Sequence, residues 1–500
     1  MEINVAGLIV IIVLYVIILV FGVLASRFIK KSDDVTEIEE NIVAGRKINV
    51  FIGIFTMTAT IVGGGFINGS AESVATSGIV WTLAPPGIFL GLSLGGVIFA
   101  KKMRDRKYLT MLDPFQQIYG NVSVVLLYTA SLCGDLFWTA SILSALGTSL
   151  SVIIEIDLKI AILTSSAVTI CYTMIGQMKA VALTDVLQLC FITFGLVLGV
   201  PFAITNDKVG SISENTDVWV GTFYTPVTPA WIDLFITMIF GTIPWQSYMQ
   251  RVLSMKSSRQ SQILSVFAGM ISLVLVIPSI LVGAIAVNAD WSNTTLGMSH
   301  VEANVSSMVL PYVFNEFTPK PVAIIALGAI CAAVMSSMDS SILGSSSMFT
   351  SNIYKGILRP KASDFEVVWI QRAAIFIIGA VATSISLTVP IIYGLFVLAA
   401  DVVFVIILPQ LFCVVYMPWT NSCGSVAGFI VGVLLRVGAG EPFLNFEPFM
   451  KYPFYNEKDG QIFPFRTFAL LCSMVTIILI SLIANLVKSR KTKSDSYEMK

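Results

Sequence analysis

Thr56-Met57-Thr58-Ala59-Thr60-Ile61-Val62-Gly63-Gly64-Gly65-Phe66-Ile67-Asn68-Gly69 belongs to an apolar stretch long enough to cross a membrane, with three consecutive glycines at mid-span. A glycine in a helix interior costs about 1 kcal/mol relative to alanine, so three in a row predict an interruption. Gly241-Thr242-Ile243-Pro244-Trp245-Gln246 interrupts a later span, where the proline removes a backbone donor and disrupts the preceding turn. Non-helical backbone at membrane depth is tolerated only where it is buried in protein or lines a cavity. Interruptions five spans apart predict two inverted repeats with the solute bound near the bilayer midplane. The competing reading is that the glycines merely let helices approach closely.

The rest of the chain fits a membrane setting. Of its 500 residues 56% are hydrophobic and 12% are charged, against about 25% charged in a soluble domain. Apolar runs of spanning length fall near 5–26, 48–70, 75–100, 120–150, 157–177, 181–203, 231–252, 262–288, 319–352, 367–389, 391–416, 424–438 and 467–487. The fold class expected is therefore an all-α multi-pass membrane protein of about thirteen helices, with its termini on opposite sides. The division expected is a first helix and loop (1–47), repeats of five helices each (48–203 and 204–416), two further helices (417–487) and a short tail (488–500).

Most of the 30 lysines and arginines fall in alternate connections: Arg27, Lys30, Lys31, Arg46 and Lys47; Lys101, Lys102, Arg104, Arg106 and Lys107; Lys179; Arg251, Lys256 and Arg259; Lys355, Arg359, Lys361 and Arg372; and the tail. The positive-inside rule then places the N-terminus outside and the C-terminus in the cytoplasm. The sequons at Asn293 and Asn304 share a loop on the outer side of this arrangement and are candidate glycosylation sites. The first apolar run has no basic n-region and no small-residue cleavage site, so it reads as a retained helix. The single histidine, His300, argues against histidine-based metal or triad chemistry, and the seven cysteines, lacking short paired spacing, read as buried thiols.

Ser336-Ser337-Met338-Asp339-Ser340-Ser341 carries the chemistry. From Pro321 to Met338 and from Ser340 to Tyr354 the chain is free of charge. An ionised aspartate at that depth costs roughly 2.5–3.5 kcal/mol, and such groups usually serve an ion or a proton. On a helix Ser336, Asp339, Ser340 and Leu343 share a face. Asp339 and Ser340 can present oxygens and Ser336 a carbonyl, with the opened backbone at Ala59 and Val62 adding more. An oxygen-only cage suits a small hard cation such as sodium. A neutral Asp339 hydrogen-bonded to serine is the alternative, weighed against the absence of any basic residue in the membrane cores to pair with it. Asp135, Asp185 and Asp401 interrupt other apolar runs, and for each a structural hydrogen-bond role is at least as good a reading as a functional one.

These residues resemble the sodium/solute symporter family, and within it the choline branch. The resemblance runs from about 5 to 487 and is most specific at Thr56–Thr60, Val62–Gly65, Met111–Gly120, Ile243–Gln246, Gln250–Ser254 and Asp339–Leu343. It implies a leucine-transporter-type core of ten helices in two inverted halves, and sodium-coupled uptake that is chloride-dependent in the choline branch. It places the sodium site on Ala59, Val62, Ser336, Asp339 and Ser340. The solute site it implies is an aromatic box holding a quaternary ammonium on ring faces, each worth about 0.5–2 kcal/mol. Trp138 and Trp245 match the box. Ile61 and Ile88 stand where the branch has tryptophan and tyrosine, and Phe396 and Val397 replace larger aromatics. Phe66 beside the break reads as a gate.

The expectation is a sodium-coupled symporter that imports choline by alternating access at the plasma membrane, with no cofactor and no enzymatic or nucleic-acid-binding motif. Two alternatives stay open: a symporter of another organic cation or small neutral solute suited to the aliphatic wall, and a non-transporting sensor or channel-like relative.

Overall fold

The computed structural model describes residues 4–28, 36–175, 178–389 and 391–498; Lys30, Lys31 and Lys500 of the basic groups above lie outside them. The described chain is helical, with isolated bridges and no longer strand among those residues. Among the described residues nine helices are long and apolar enough to cross a membrane, and a tenth span is the pair Val50–Ile61 and Gly64–Ser77, bent by 48°. Leu158–Met174, Thr225–Phe240 and Ser422–Gly438 are shorter apolar helices. Backbone groups paired within helices suit a solvent that offers no hydrogen bonds.

Burial divides the helices into core and periphery. In Asn121–Ile154, 94% of the most apolar window is buried, against 22% in Val5–Gly22 and 17% in Phe465–Arg490. Exposed apolar side chains such as Ile9, Val13, Leu471 and Leu479 cover the outer helices, a surface matched to lipid. The core is Asn121–Ile154 and Lys320–Met348, packed against one another and against Met178–Ile204 and Ile392–Val402. Serines in Lys320–Met348 also bond back along the helix, as Ser346 Oγ does to Leu343 O at 3.1 Å.

Both interruptions are present. Asn49 caps the first broken helix by accepting from the amides of Phe51 and Ile52. That helix stops at Ile61, Val62 takes φ −77° and ψ 62°, and Gly63 is extended. Gly64 and Gly65 are already in the first turn of the next helix, so the break is two residues wide rather than three glycines long. In the second, Thr228–Gly241 ends, Trp245 is extended (φ −110°, ψ 126°), and helix resumes over Gln246–Ser254.

The packing reading of the glycines also holds. A Cβ on Gly63 would sit 1.8 Å from Ser337 Oγ, on Gly64 2.4 Å from Ala145 Cβ, and on Gly65 2.5 Å from Ser141 Oγ. The glycines therefore open the helix and seat it against two core helices at once. Gly63→Ala is expected to cost about 1–3 kcal/mol of overpacking and to abolish uptake, and Ser337→Gly in the same chain is expected to restore it. Uptake normalised to surface protein checks this, and a fully active single variant would show that the contact does not matter.

One expectation needs correction, and two regions carry helix that the sequence reading did not assign. The cysteines are free, but only Cys331 and Cys413 are buried; Cys133, Cys171, Cys190 and Cys423 lie on exposed helix faces. The last helix continues through the charged residues after Lys488 to Glu498. The segment before residue 48 includes a short helix, Glu37–Val43, whose Ile42 carbonyl accepts from buried Gln250 at 2.7 Å.

Candidate functional site

The first break is pressed onto the serine-rich helix Lys320–Met348. Ser337 Oγ donates to the Ala59 carbonyl at 3.1 Å, and Thr60 Oγ1 lies 3.2 Å from Ser340 Oγ. The five predicted cation ligands, Ala59, Val62, Ser336, Asp339 and Ser340, are all buried where these two elements meet. Their oxygens do not all face one point. Ser336 Oγ is turned away and donates to Asp185 Oδ1 at 2.5 Å, and its carbonyl lies within the unbroken helix Lys320–Met348.

Asp339 is completely buried. Its Oδ1 accepts from Thr173 Oγ1, and its Oδ2 has no hydrogen-bond partner. Among the described residues no lysine or arginine forms an ion pair with it. A buried carboxylate oxygen without a partner is costly, and a cation arriving there would remove that cost.

The statement that no basic residue lies in the membrane core is overturned. Arg251, which the sequence reading counted among the cytoplasmic charges, is fully buried on Gln246–Ser254. Its Nη2 donates to Ser340 Oγ at 2.5 Å and lies 3.5 Å from Asp185 Oδ2. Asp185 also accepts from Thr56 of the first broken helix and from Ser336. One carboxylate thus ties both broken helices to the serine helix. With both acids ionised, Asp339, Asp185 and Arg251 carry one net negative charge, which a single monovalent cation neutralises. The sequence signals for this were an acid in an apolar run at Asp185 and a basic residue just past a broken helix, but nothing local linked them.

The other two acids are also accounted for. Asp401 is paired with Arg436 at 2.8 Å and Arg466 at 2.6 Å. Asp135 accepts from Trp245 Nε1 at 3.1 Å and from Ser345 Oγ at 2.5 Å.

A cavity of about 40 Å³ lies beside the second break, walled by Ile88, Trp138, Trp245 and Phe396 together with small residues of Ile392–Val402 and the break. Trp138 meets Trp245 edge to face at 5.0 Å between ring centroids, and Phe396 at 4.6 Å. Of the five residues expected around the solute, Trp138, Trp245 and Ile88 come together here. Ile61 and Phe66 are fully buried at the first break and are not among the residues that define this wall. Phe396, which the sequence reading counted as a loss, supplies a third ring. Position alone gave no sign that its face would turn toward Trp138.

The comparisons with known proteins point the same way. The family model described as "Sodium:solute symporter family" matches residues 41–432. The high-affinity choline transporter 1 of Drosophila melanogaster is 46% identical over 96% of this chain and 78% of that protein. The Homo sapiens protein of the same name is 44% identical over 97% of this chain and 86% of that protein. A solved structure of a Na+-coupled sialic acid symporter in a substrate-bound outward-open state has a TM-score of 0.75 at 17% identity, covering 95% of this chain and 98% of that one. At that identity the likeness establishes the fold.

Proposed function

This chain belongs to the sodium:solute symporter family, and on that premise we propose that it imports choline together with sodium by alternating access. The observation that carries the proposal is the pairing of two features within one bundle. A buried cluster lacks one positive charge, and an aromatic cavity offers ring faces and no charged wall residue among those described. A quaternary ammonium donates no hydrogen bond, so ring faces are the groups suited to hold it. The relatives named high-affinity choline transporter 1 support choline as the solute.

In this reading sodium is cargo. It is held by the carbonyls of Ala59, Val62 and Ser336 and by the side chains of Asp339 and Ser340, and to dock it takes the Ser340 oxygen now occupied by Arg251. The solute lies against Trp138, Trp245 and Ile88, with Ile61 and Phe66 behind them at the first break, where Phe66 gates access. The nine long helices, the bent pair and the three shorter apolar helices make thirteen passes in the plasma membrane, with the N-terminus outside. They divide into a first helix and loop (1–47), two inverted repeats (48–203 and 204–416), two further helices (417–487) and a cytoplasmic end (488–500). Asn293 and Asn304, both exposed, then face outward as glycan acceptors, and uptake depends on chloride.

Labelled-choline uptake in cells expressing this chain, with sodium and then chloride replaced, tests the proposal. Uptake lost in both replacements is the expected result, and uptake indifferent to sodium overturns it. Adding a ring to the cavity wall by Ile88→Tyr is expected to lower the choline KM, by roughly 2-fold or more for one ring face worth about 0.5 kcal/mol or more. No gain in affinity would mean that the aliphatic residue at this position does not weaken the box.

A further inference from the structure

The cavity wall carries no charge, yet a fully buried carboxylate stands directly behind it. Asp135 sits between Gly134, a wall residue, and Trp138, which lies one helical turn on and shares its face. The helix is tight against the opposite wall at this level, since a Cβ on Gly134 would come within 2.7 Å of Val403 Cγ2. Both Asp135 oxygens are held by neutral donors, the Trp245 indole and the Ser345 hydroxyl, and no lysine or arginine pairs with it among the described residues. Asp401, adjacent to wall residue Ala400, is a contrasting case, because two arginines neutralise it. Asp135 is therefore the acid beside the cavity whose charge is left for a ligand to meet.

We infer that Asp135 sets the selectivity of the box for a cation over a neutral molecule of the same shape, acting as a positioning residue through Trp245. Two effects run through the indole N–H bond. The bond helps fix the ring of a residue in an unwound segment, and it draws electron density toward the ring face that a quaternary ammonium would touch. The carboxylate field adds to both because Asp135 is buried, where screening by water is weak. This inference rests on the choline reading above and names what gives that site its preference for charge.

The test is competition against labelled choline by choline itself and by dimethylbutanol, the alcohol in which carbon replaces the quaternary nitrogen. The parent chain is run first, and failure of choline to compete there overturns the solute assignment rather than the role of Asp135. In Asp135→Asn the amide oxygen still accepts from Trp245 and the amide nitrogen faces Ser345, so the network persists without the charge. The choline KM is expected to rise about tenfold, equivalent to about 1.4 kcal/mol, with the maximal rate per surface transporter and the dimethylbutanol inhibition constant both within about twofold of the parent. A parallel loss for both ligands, or a loss for neither, overturns the inference. Should Asp135→Asn fail to reach the surface, Asp135→Glu decides the matter: a retained preference for choline supports the role of the charge, and a lost preference overturns it.

Discussion

Asp339→Asn is expected to abolish sodium-dependent uptake while leaving the protein at the cell surface. The substitution is isosteric, and an asparagine can keep the bond with Thr173 that Asp339 makes through Oδ1. Stability should therefore hold or rise, because an amide is cheaper to bury than a carboxylate. The cluster loses its one uncompensated charge, with Asp185 and Arg251 left balanced against each other. A point charge in direct contact with a bound ion is worth several kcal/mol even at an effective dielectric near 20, so a fall of at least about 100-fold in apparent sodium affinity is expected. Sodium titration of uptake, normalised to surface protein, reads this directly. Unchanged sodium dependence would remove Asp339 from the ion site and the mechanism with it.

Arg251→Met is expected to have the largest effect on stability. Asp185 then keeps its bonds from Thr56 and Ser336 but loses its counter-charge in a fully buried setting. Removing one partner of a buried ion pair typically costs about 3–5 kcal/mol, whereas replacing both is often close to neutral. The single variant should lose several degrees of thermal stability in detergent, and adding Asp185→Asn should recover most of it. A single variant as stable as the parent would show that the 3.5 Å contact contributes nothing to holding the second broken helix. The same substitution frees Ser340 Oγ, so any transporter that survives should bind sodium more tightly than the parent.

These two experiments bear on one feature from opposite sides. Arg251 is a cation tethered to the protein, and it holds an oxygen that the proposed sodium site needs. Its withdrawal would loosen Gln246–Ser254, the second half of a broken helix, which also bonds the serine helix from Ser247 Oγ to the Ser340 carbonyl, so the proposed ion site and this helix are linked. A mobile ion and a fixed guanidinium sharing one acceptor is a direct way for occupancy to select conformation.

The sequence by itself determined the apolar, all-helical build, the two breaks and the site of the expensive acid. Each is a local quantity. Apolar length sets the crossing, glycine and proline set the interruption, and a charge-free run on either side of Asp339 sets its depth. A bilayer makes such local features decisive because it offers no water to rescue a misplaced polar group. Pairing among those groups was beyond the sequence. Asp185 and Arg251 are 66 residues apart, Trp245 and Asp135 are 110, and Thr173 and Asp339 are 166. Only the folded bundle decides which buried donor meets which acceptor, because burial requires that each be satisfied without specifying by whom.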